Sequence, residues 1–488
     1  MKRFWILFLL LPLLTGCHKN VTPEEEKKPE EKTEESSVYY VNWFGQTIMG
    51  TYYLWNQEIS SALSKWETEM ETDPIKKVQA IRYKADRWSM MTDDIESFTS
   101  EVSGVYKTTG FDFTLMWADE SQTSIVGVVT FTYANSPARN AGMKRGDVFY
   151  KVNGEKITEE NYVDLLTESI YGSDPFKLTL YDGRTVTLIP VEMEEDAVNE
   201  VSVLEVGDKK VGYLHFTSFT LLSLKGLMEA FAEFKAAGID ELVLDLRYNG
   251  GGYVKTCTVL ASAIAPLDVV NAGKVFSKDI MNSLLTEAWG EDPTYFQADF
   301  GTIKVDDGVN VKCPAAEVNS NLSRVYILVS PDSASASESL ICGLKPYMDV
   351  VVIGRQTHGK FCAGFIIDAG EWFDDVQDQL PYNVYKEAKP QVKNWGIYVM
   401  YARYADCNGV TLSMPDGIKP DIEQRDEPLD GFQLGDPGET LLARALAHMN
   451  GGETPVVNTR SASLGALRVA EKPHRSTYGL LVKEWPRN

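Results

Sequence analysis

Histidine is scarce in this chain, with five in 488 residues. No HExxH string occurs and no close Cys/His pair has zinc spacing, so the sequence offers no ready ligand set for a metal hydrolase or a zinc finger. Basic residues are short as well: 47 Lys and Arg stand against 70 Asp and Glu, a net charge of −23. Such a surface repels phosphate backbones and argues against nucleic acid as a partner. Beyond the first twenty residues no apolar run is long enough to span a bilayer. Cysteine gives no framework: past Cys17 there are Cys257, Cys313, Cys342, Cys362 and Cys407. With an odd number at least one stays free even in an oxidising compartment, and the pairing cannot be read. Composition also excludes collagen-like, coiled-coil and disulfide-knot proteins. What is present is 44% hydrophobic and 11% aromatic residues. That is ample for a large core, at a length that suggests about three domains.

The beginning of the chain reads as an address. Lys2 and Arg3 precede an apolar run from Phe4 to Leu14, too short to cross a bilayer and suited to a signal-peptide core. It ends in Leu14-Thr15-Gly16-Cys17, which resembles the bacterial lipobox. The resemblance implies removal of residues 1–16, lipidation of Cys17, and a lipoprotein held at the membrane of a bacterial cell envelope, on the periplasmic side or the cell surface. The alternative is an ordinary secretory signal with a chance Cys. Residues 17–37 follow as an acidic tether. Within them TPEEEKKPEEKTEESS (22–37) has seven Glu, three Lys, two Pro and no bulky apolar residue. Such a segment buries too little surface to offset the entropy of ordering it.

Three folded parts are expected after the tether. Residues 38–104, with Trp43, Trp55, Trp66 and Trp88 and a mostly helical period, suggest a packed N-terminal helical cap. Residues 105–193 run strand (124–132), short helix (135–142), strand (145–154) with an Asn153-Gly154 turn, amphipathic helix (159–170), and hairpin (176–191) about Asp182-Gly183. This order, with the string SPARNAGMKRGDVFYKVNGEKI, resembles a PDZ domain of the bacterial protease type. The resemblance implies that an extended peptide adds to a sheet edge, its carboxylate held near Gly110-Phe111 and its groove walled by helix 159–170. Residues 194–451 alternate strands and helices, the pattern of an α/β layered core with much parallel sheet. Residues 452–488 read as a C-terminal tail.

Polar and glycine residues concentrate where the core strands end. Ser333-Ala334-Ser335-Ala336-Ser337-Glu338 follows the apolar strand 324–330 and opens a helix. A hydroxyl there is exposed at the sheet edge, beside helix N–H groups that suit an oxyanion; for any one such Ser, an N-cap is the simpler role. Asp245-Leu246-Arg247-Tyr248-Asn249-Gly250-Gly251-Gly252 is again a strand running into a turn, with glycines that let backbone N–H groups approach a carbonyl closely. It lacks the GK[ST] ending of a phosphate loop. Gly354-Arg355-Gln356-Thr357-His358-Gly359-Lys360 follows strand 349–354. A Lys packed there would be discharged by desolvation and able to act as a base near neutral pH.

Together the three turns resemble the carboxyl-terminal processing (tail-specific) serine peptidase family. Its marks are a D-L-R-x-N-x-G-G turn, an S-A-S-A-S-E segment and a T-x-G-K turn whose Lys lies 25 residues after the Ser, as Lys360 lies after Ser335. Gly417-Ile418-Lys419-Pro420-Asp421-Ile422 and the helical string 439–451 match its closing elements. The resemblance implies a layered α/β core of the ClpP/crotonase-like type with a preceding or inserted PDZ domain. It further implies Ser335 as nucleophile, Lys360 as general base, and an oxyanion hole from the N–H of Ala336 and of Gly251 or Gly252, with no cofactor or metal. The expected activity is Ser–Lys endopeptidase cleavage of exposed or C-terminal segments of envelope polypeptides. The alternative is a weak or inactive relative that uses its PDZ groove to bind peptides. Two positions depart from the pattern. His358 replaces a Phe, and Gly364 stands where many members have a Gln that orients the Lys. Lys360 would then be held by another group, such as Ser337 or Thr357. A Ser–His variant using His358 is a further alternative.

Overall fold

Where the sequence alternates strands with helices, a parallel sheet forms. The computed structural model describes residues 38–452 and 472–486 except Asp119, Ser413 and Ser476. The expected leader, Cys17 and the acidic tether lie outside the described residues. Strands Lys209–Phe216, Glu241–Asp245, Arg324–Val329, Asp349–Gly354 and Ile422–Glu423 run parallel in that order, with Val198–Val206 antiparallel at one edge. Helices Leu224–Ala237, Val254–Ile264 and Ala336–Leu344 lie within the successive connections. The first of these stops at Gly238, whose left-handed backbone (φ 67°) returns its N–H to the Phe234 carbonyl. Every residue of Glu241–Asp245 is buried. Leu242 and Leu244 face the main core on one side, and Val243 faces Leu441 and Leu442 of helix Thr440–Met449 on the other. Burial on both faces is why these strands read as unbroken apolar runs.

A second sheet packs against this layer, ordered Gly252–Tyr253, Leu481–Lys483, Cys362–Asp368, Gly396–Ala405, Val275–Met281, Pro293–Tyr295. Residues 452–488, read from the sequence as a tail, thus supply a strand between two others and parallel to both. Residues 38–104 do form helices, Tyr39–Thr51, Pro74–Ile81 and Ile95–Val102 among them, yet they are not a cap set apart. Met90–Thr92 pairs with Gly396–Ala405, and Phe44 packs edge-on against Trp372 with ring centroids 5.5 Å apart. Helix and sheet here share one core.

Residues 111–188 have a core of their own. Strands Phe111–Trp117, Ile125–Thr132, Val148–Val152, Phe176–Leu180 and Thr185–Leu188 form an antiparallel sheet, with helix Tyr162–Ser169 packed through Leu166 onto Phe149 and Leu178. Asn153 and Gly154 turn the chain with φ of 54° and 87°. A two-stranded ladder, Val105–Thr108 against Val191–Glu194, joins this unit to the rest. Cys257, Cys313, Cys342, Cys362 and Cys407 are all unbridged. Among the described residues no helix is long and apolar enough to cross a membrane.

Candidate active site

The serine-rich turn and the glycine turn are sewn together through their backbones. The Ala334 N–H and the Ser337 hydroxyl donate to the Asn249 carbonyl at 3.0 and 3.1 Å. The Ser333 hydroxyl donates to the Leu246 carbonyl at 2.7 Å, and Ser330 donates to the Arg247 carbonyl. Asn249 spans the gap to the next strand, giving its amide hydrogen to the Phe216 carbonyl at 3.0 Å. At the tip of the turn Ser335 has φ 63° and ψ −106°, a backbone that non-glycine residues rarely adopt and that costs on the order of 1–3 kcal/mol. Its hydroxyl is buried, faces the Glu338 N–H of the helix's capping box, and finds no acceptor for its hydrogen among the described residues.

Glu338 clamps this turn to the lysine turn. Its Oε2 accepts the backbone N–H of both Ser335 and Lys360 at 2.9 Å, and its Oε1 accepts from the Thr357 hydroxyl at 2.5 Å and the Gly359 N–H at 2.7 Å. Burial pushes this carboxyl above its ordinary range, against the pull of those four donors. Tyr404 makes a second clamp, its hydroxyl lying 3.2 Å from the Ser335 carbonyl and 3.3 Å from that of Lys360. Residues 25 apart in sequence are thereby fixed side by side through their main chains.

The Lys360 side chain is fully buried. Its Nζ lies 5.2 Å from the ring centres of both Trp88 and Tyr398, and it donates to the Tyr398 hydroxyl at 3.1 Å. Desolvation lowers its pKa from 10.5 to about 7, and the nearby Cys362, Asp86 and Glu338 offset only part of that. Neither residue proposed from the sequence as its holder plays that part: Ser337 bonds to Asn249 and Thr357 to Glu338. Ser335 and Lys360 do not hydrogen-bond to each other here. His358 lies edge-on to Trp88 and Tyr478, with ring centroids 6.1 and 6.3 Å away, and makes no bond to Ser335.

The remaining sequence candidates divide. Ala336 opens its helix beside Ser335, and among the described residues nothing accepts its N–H. The N–H groups of Gly251 and Gly252 are already engaged, with Asn249 Oδ1 at 2.9 Å and the Leu480 carbonyl at 2.8 Å. Of the glycine turn it is the Gly250 N–H that has no acceptor among the described residues, although Gly251 is the glycine that lies against Ser335. Gly110 (φ 69°) precedes, and Phe111 begins, the edge strand of the 111–188 unit. Thr109 and Phe111 line a cavity of about 190 Å³ that runs to Gly250, Gly251 and Gly252, its wall completed by Lys472, Arg475 and Tyr478. Sequence reasoning missed Trp88, Asp86, Tyr398 and Leu481 around the lysine. A glycine inside a buried strand, Gly364, was the available signal, because such a residue often marks the close approach of a bulky group. Here that group is the Tyr398 ring.

Residues 210–424, the stretch that holds all three turns, match the model of Peptidase family S41. They belong to that family. Proteins named as CtpA-like serine proteases are similar to this chain: one from Staphylococcus aureus is 26% identical over 268 residues, 55% of this chain and 47% of that protein. One from Staphylococcus saprophyticus is 25% identical over 271 residues, 56% and 48% of the two chains. The matches thus span about half the length of these curated relatives. A crystal structure assigned as an S41 protease of Bacteroides fragilis superposes with a TM-score of 0.63 at 21% identity, over 88% of this chain and 99% of that one. The S41 domain therefore has the α/β fold of that structure, and both clamps just described lie within it.

Proposed function

We propose that the protein is a serine endopeptidase in which Lys360, uncharged above about pH 7, takes the proton of the Ser335 hydroxyl as its oxygen attacks a peptide carbonyl. The observation that carries this reading is a fully buried lysine, low in pKa, locked through Glu338 to the backbone of a strained serine. The tetrahedral oxyanion would be met by the N–H of Ala336 and one from the glycine turn. Lys360 then returns the proton to the leaving amine, leaving an acyl group on Ser335, and water releases it. The 111–188 unit is read as a PDZ-type domain that presents extended or C-terminal segments, because its edge strand and the glycine turn share one cavity. The lipobox-like Leu14–Cys17 supports a location at a bacterial membrane, with envelope polypeptides as substrates. A peptide-binding protein without turnover is the second reading, favoured by the complete burial of Ser335 and Lys360.

Casein cleavage by the fragment starting near residue 38 tests the choice. Wild type should cleave, with kcat/KM rising as pH climbs through about 7 and then levelling, because only the neutral amine accepts a proton. Ser335→Ala and Lys360→Ala should each lose on the order of a thousandfold or more. Activity that survives Lys360→Ala would refute the dyad, and inertness of all three would favour the binding protein. Gly251→Ala gives an independent check. With φ +116°, a Cβ there would lie 2.7 Å from the Ser335 Cβ and 2.8 Å from the Leu480 carbonyl. The displaced nucleophile should lose roughly a hundredfold in kcat/KM, and unchanged kinetics would show that the two turns need not touch.

A further inference from the structure

Lys360 reaches one hydrogen-bonding side chain, and it comes from neither the serine turn nor the glycine turn. Tyr398, in strand Gly396–Ala405, projects diagonally across the neighbouring strand Cys362–Asp368. It fits because residue 364 has no side chain: a Cβ on Gly364 would fall 2.4 Å from the tyrosine Cζ and 2.7 Å from its hydroxyl oxygen. The hydroxyl donates its hydrogen to the Leu481 carbonyl at 3.0 Å, which turns its lone pairs toward the Lys360 amine 3.1 Å away. A neutral amine that spends an N–H on Tyr398 has its own lone pair pointing elsewhere, and the turn clamped against its backbone by Glu338 is that of Ser335, whose hydroxyl hydrogen has no acceptor among the described residues. We propose that Tyr398, set by the Leu481 carbonyl and admitted by Gly364, is the positioning residue that aims the Lys360 lone pair at Ser335. This rests on Ser335 and Lys360 forming the dyad.

The proton inventory is simple. Tyr398 keeps its hydrogen throughout, held on the Leu481 carbonyl, while Lys360 gains the Ser335 proton and gives it to the leaving amine. Burial raises the Tyr398 pKa well above 10, consistent with a hydroxyl that does not ionise. The charged or titratable groups that act on Lys360 are Asp86 from the N-terminal segment, Glu338 from the nucleophile helix, Cys362 from its own strand and His358 from its own turn. None of these accepts a hydrogen bond from its Nζ.

The test is Tyr398→Phe in the fragment starting near residue 38, read by casein hydrolysis and by the rate at which a fluorophosphonate labels Ser335, each from pH 5 to 10. The high-pH plateau of both should fall at least about tenfold with KM unchanged. The midpoint should move to lower pH, because the protonated amine loses an acceptor. A merely loosened core would let water reach the amine and move the midpoint upward, toward 10.5. Gly364→Ala should reproduce the loss without touching the hydroxyl, by pushing the ring aside, and combining it with Tyr398→Phe should add little. An unchanged plateau in Tyr398→Phe, or a midpoint moving up, overturns the proposal. Wild type that neither cleaves casein nor labels at Ser335 overturns the dyad itself, and the proposal with it.

Discussion

Lys360→Met should make the protein more stable while it abolishes turnover. Below neutral pH, burying an amine that would hold its proton in the unfolded chain costs on the order of 5 kcal/mol, given a native value of about 7 against 10.5. The sign follows from proton counting. Between those two values the unfolded chain binds more protons than the native one, so stability rises with pH and the penalty fades toward pH 10. Met keeps most of the stem that packs between Trp88 and Tyr398 and removes the charge. Urea unfolding at pH 6 should therefore show a large gain for the variant, and at pH 9.5 a much smaller one. A variant less stable than wild type at both values would mean that Lys360 is not held neutral by the fold. Active sites commonly trade stability for function in this direction.

Arg247→Met should do the reverse and by a similar amount. The guanidinium, wholly buried, donates to Asp245 at 2.7 Å, to Asp426 at 2.9 Å and to Glu439 at 2.6 Å. Arg145, from the 111–188 unit, shares Asp426 and Glu439 at 2.8 and 3.3 Å. Two cations thus hold three carboxylates away from water. Removing one cation leaves buried charge uncompensated, which typically costs about 3–5 kcal/mol, a large part of ordinary stability. Burial alone would raise the Asp245 pKa, but Arg247 holds it below 3.8. That contribution is present above the unfolded carboxylate value and lost as pH falls through the folded one. Without Arg247 the Asp245 carboxylate takes up a proton more readily, so the deficit measured by urea unfolding should be widest near pH 7 and narrow toward pH 4. A variant within about 1 kcal/mol of wild type at pH 7 would mean that Arg145 alone neutralises the cluster.

The parallel sheet and the three turns were legible because each is local. An apolar strand, a break of small or glycine residues and a helix occupy a dozen positions, and the Ser335–Lys360 spacing is a sequence distance. Asp245, Arg247, Asn249 and Glu338 lie inside the quoted strings, and the ion cluster and the Glu338 clamp show that they build the turns. The surroundings of the lysine were not legible. Trp88 and Asp86 come from a segment with no catalytic pattern, Tyr398 from a strand whose residues are nearly all buried, and Leu481 from a stretch that reads as a tail. Sheet neighbours far apart in the chain leave no period or motif to find. The bonding of the glycine turn was illegible for a related reason: which of three adjacent N–H groups stays free depends on Asn249 and Leu480, and not on the glycines themselves.

The strand Leu481–Lys483 has a consequence for timing. It fills the slot between Gly252–Tyr253 and Cys362–Asp368, and its first carbonyl fixes the Tyr398 hydroxyl. A ribosome delivers Ser335 and Lys360 long before it delivers Leu481. During synthesis the polypeptide therefore holds Ser335 and Lys360 before the strand that fixes Tyr398 exists, and the surroundings of the lysine are complete only after that late strand has threaded into place.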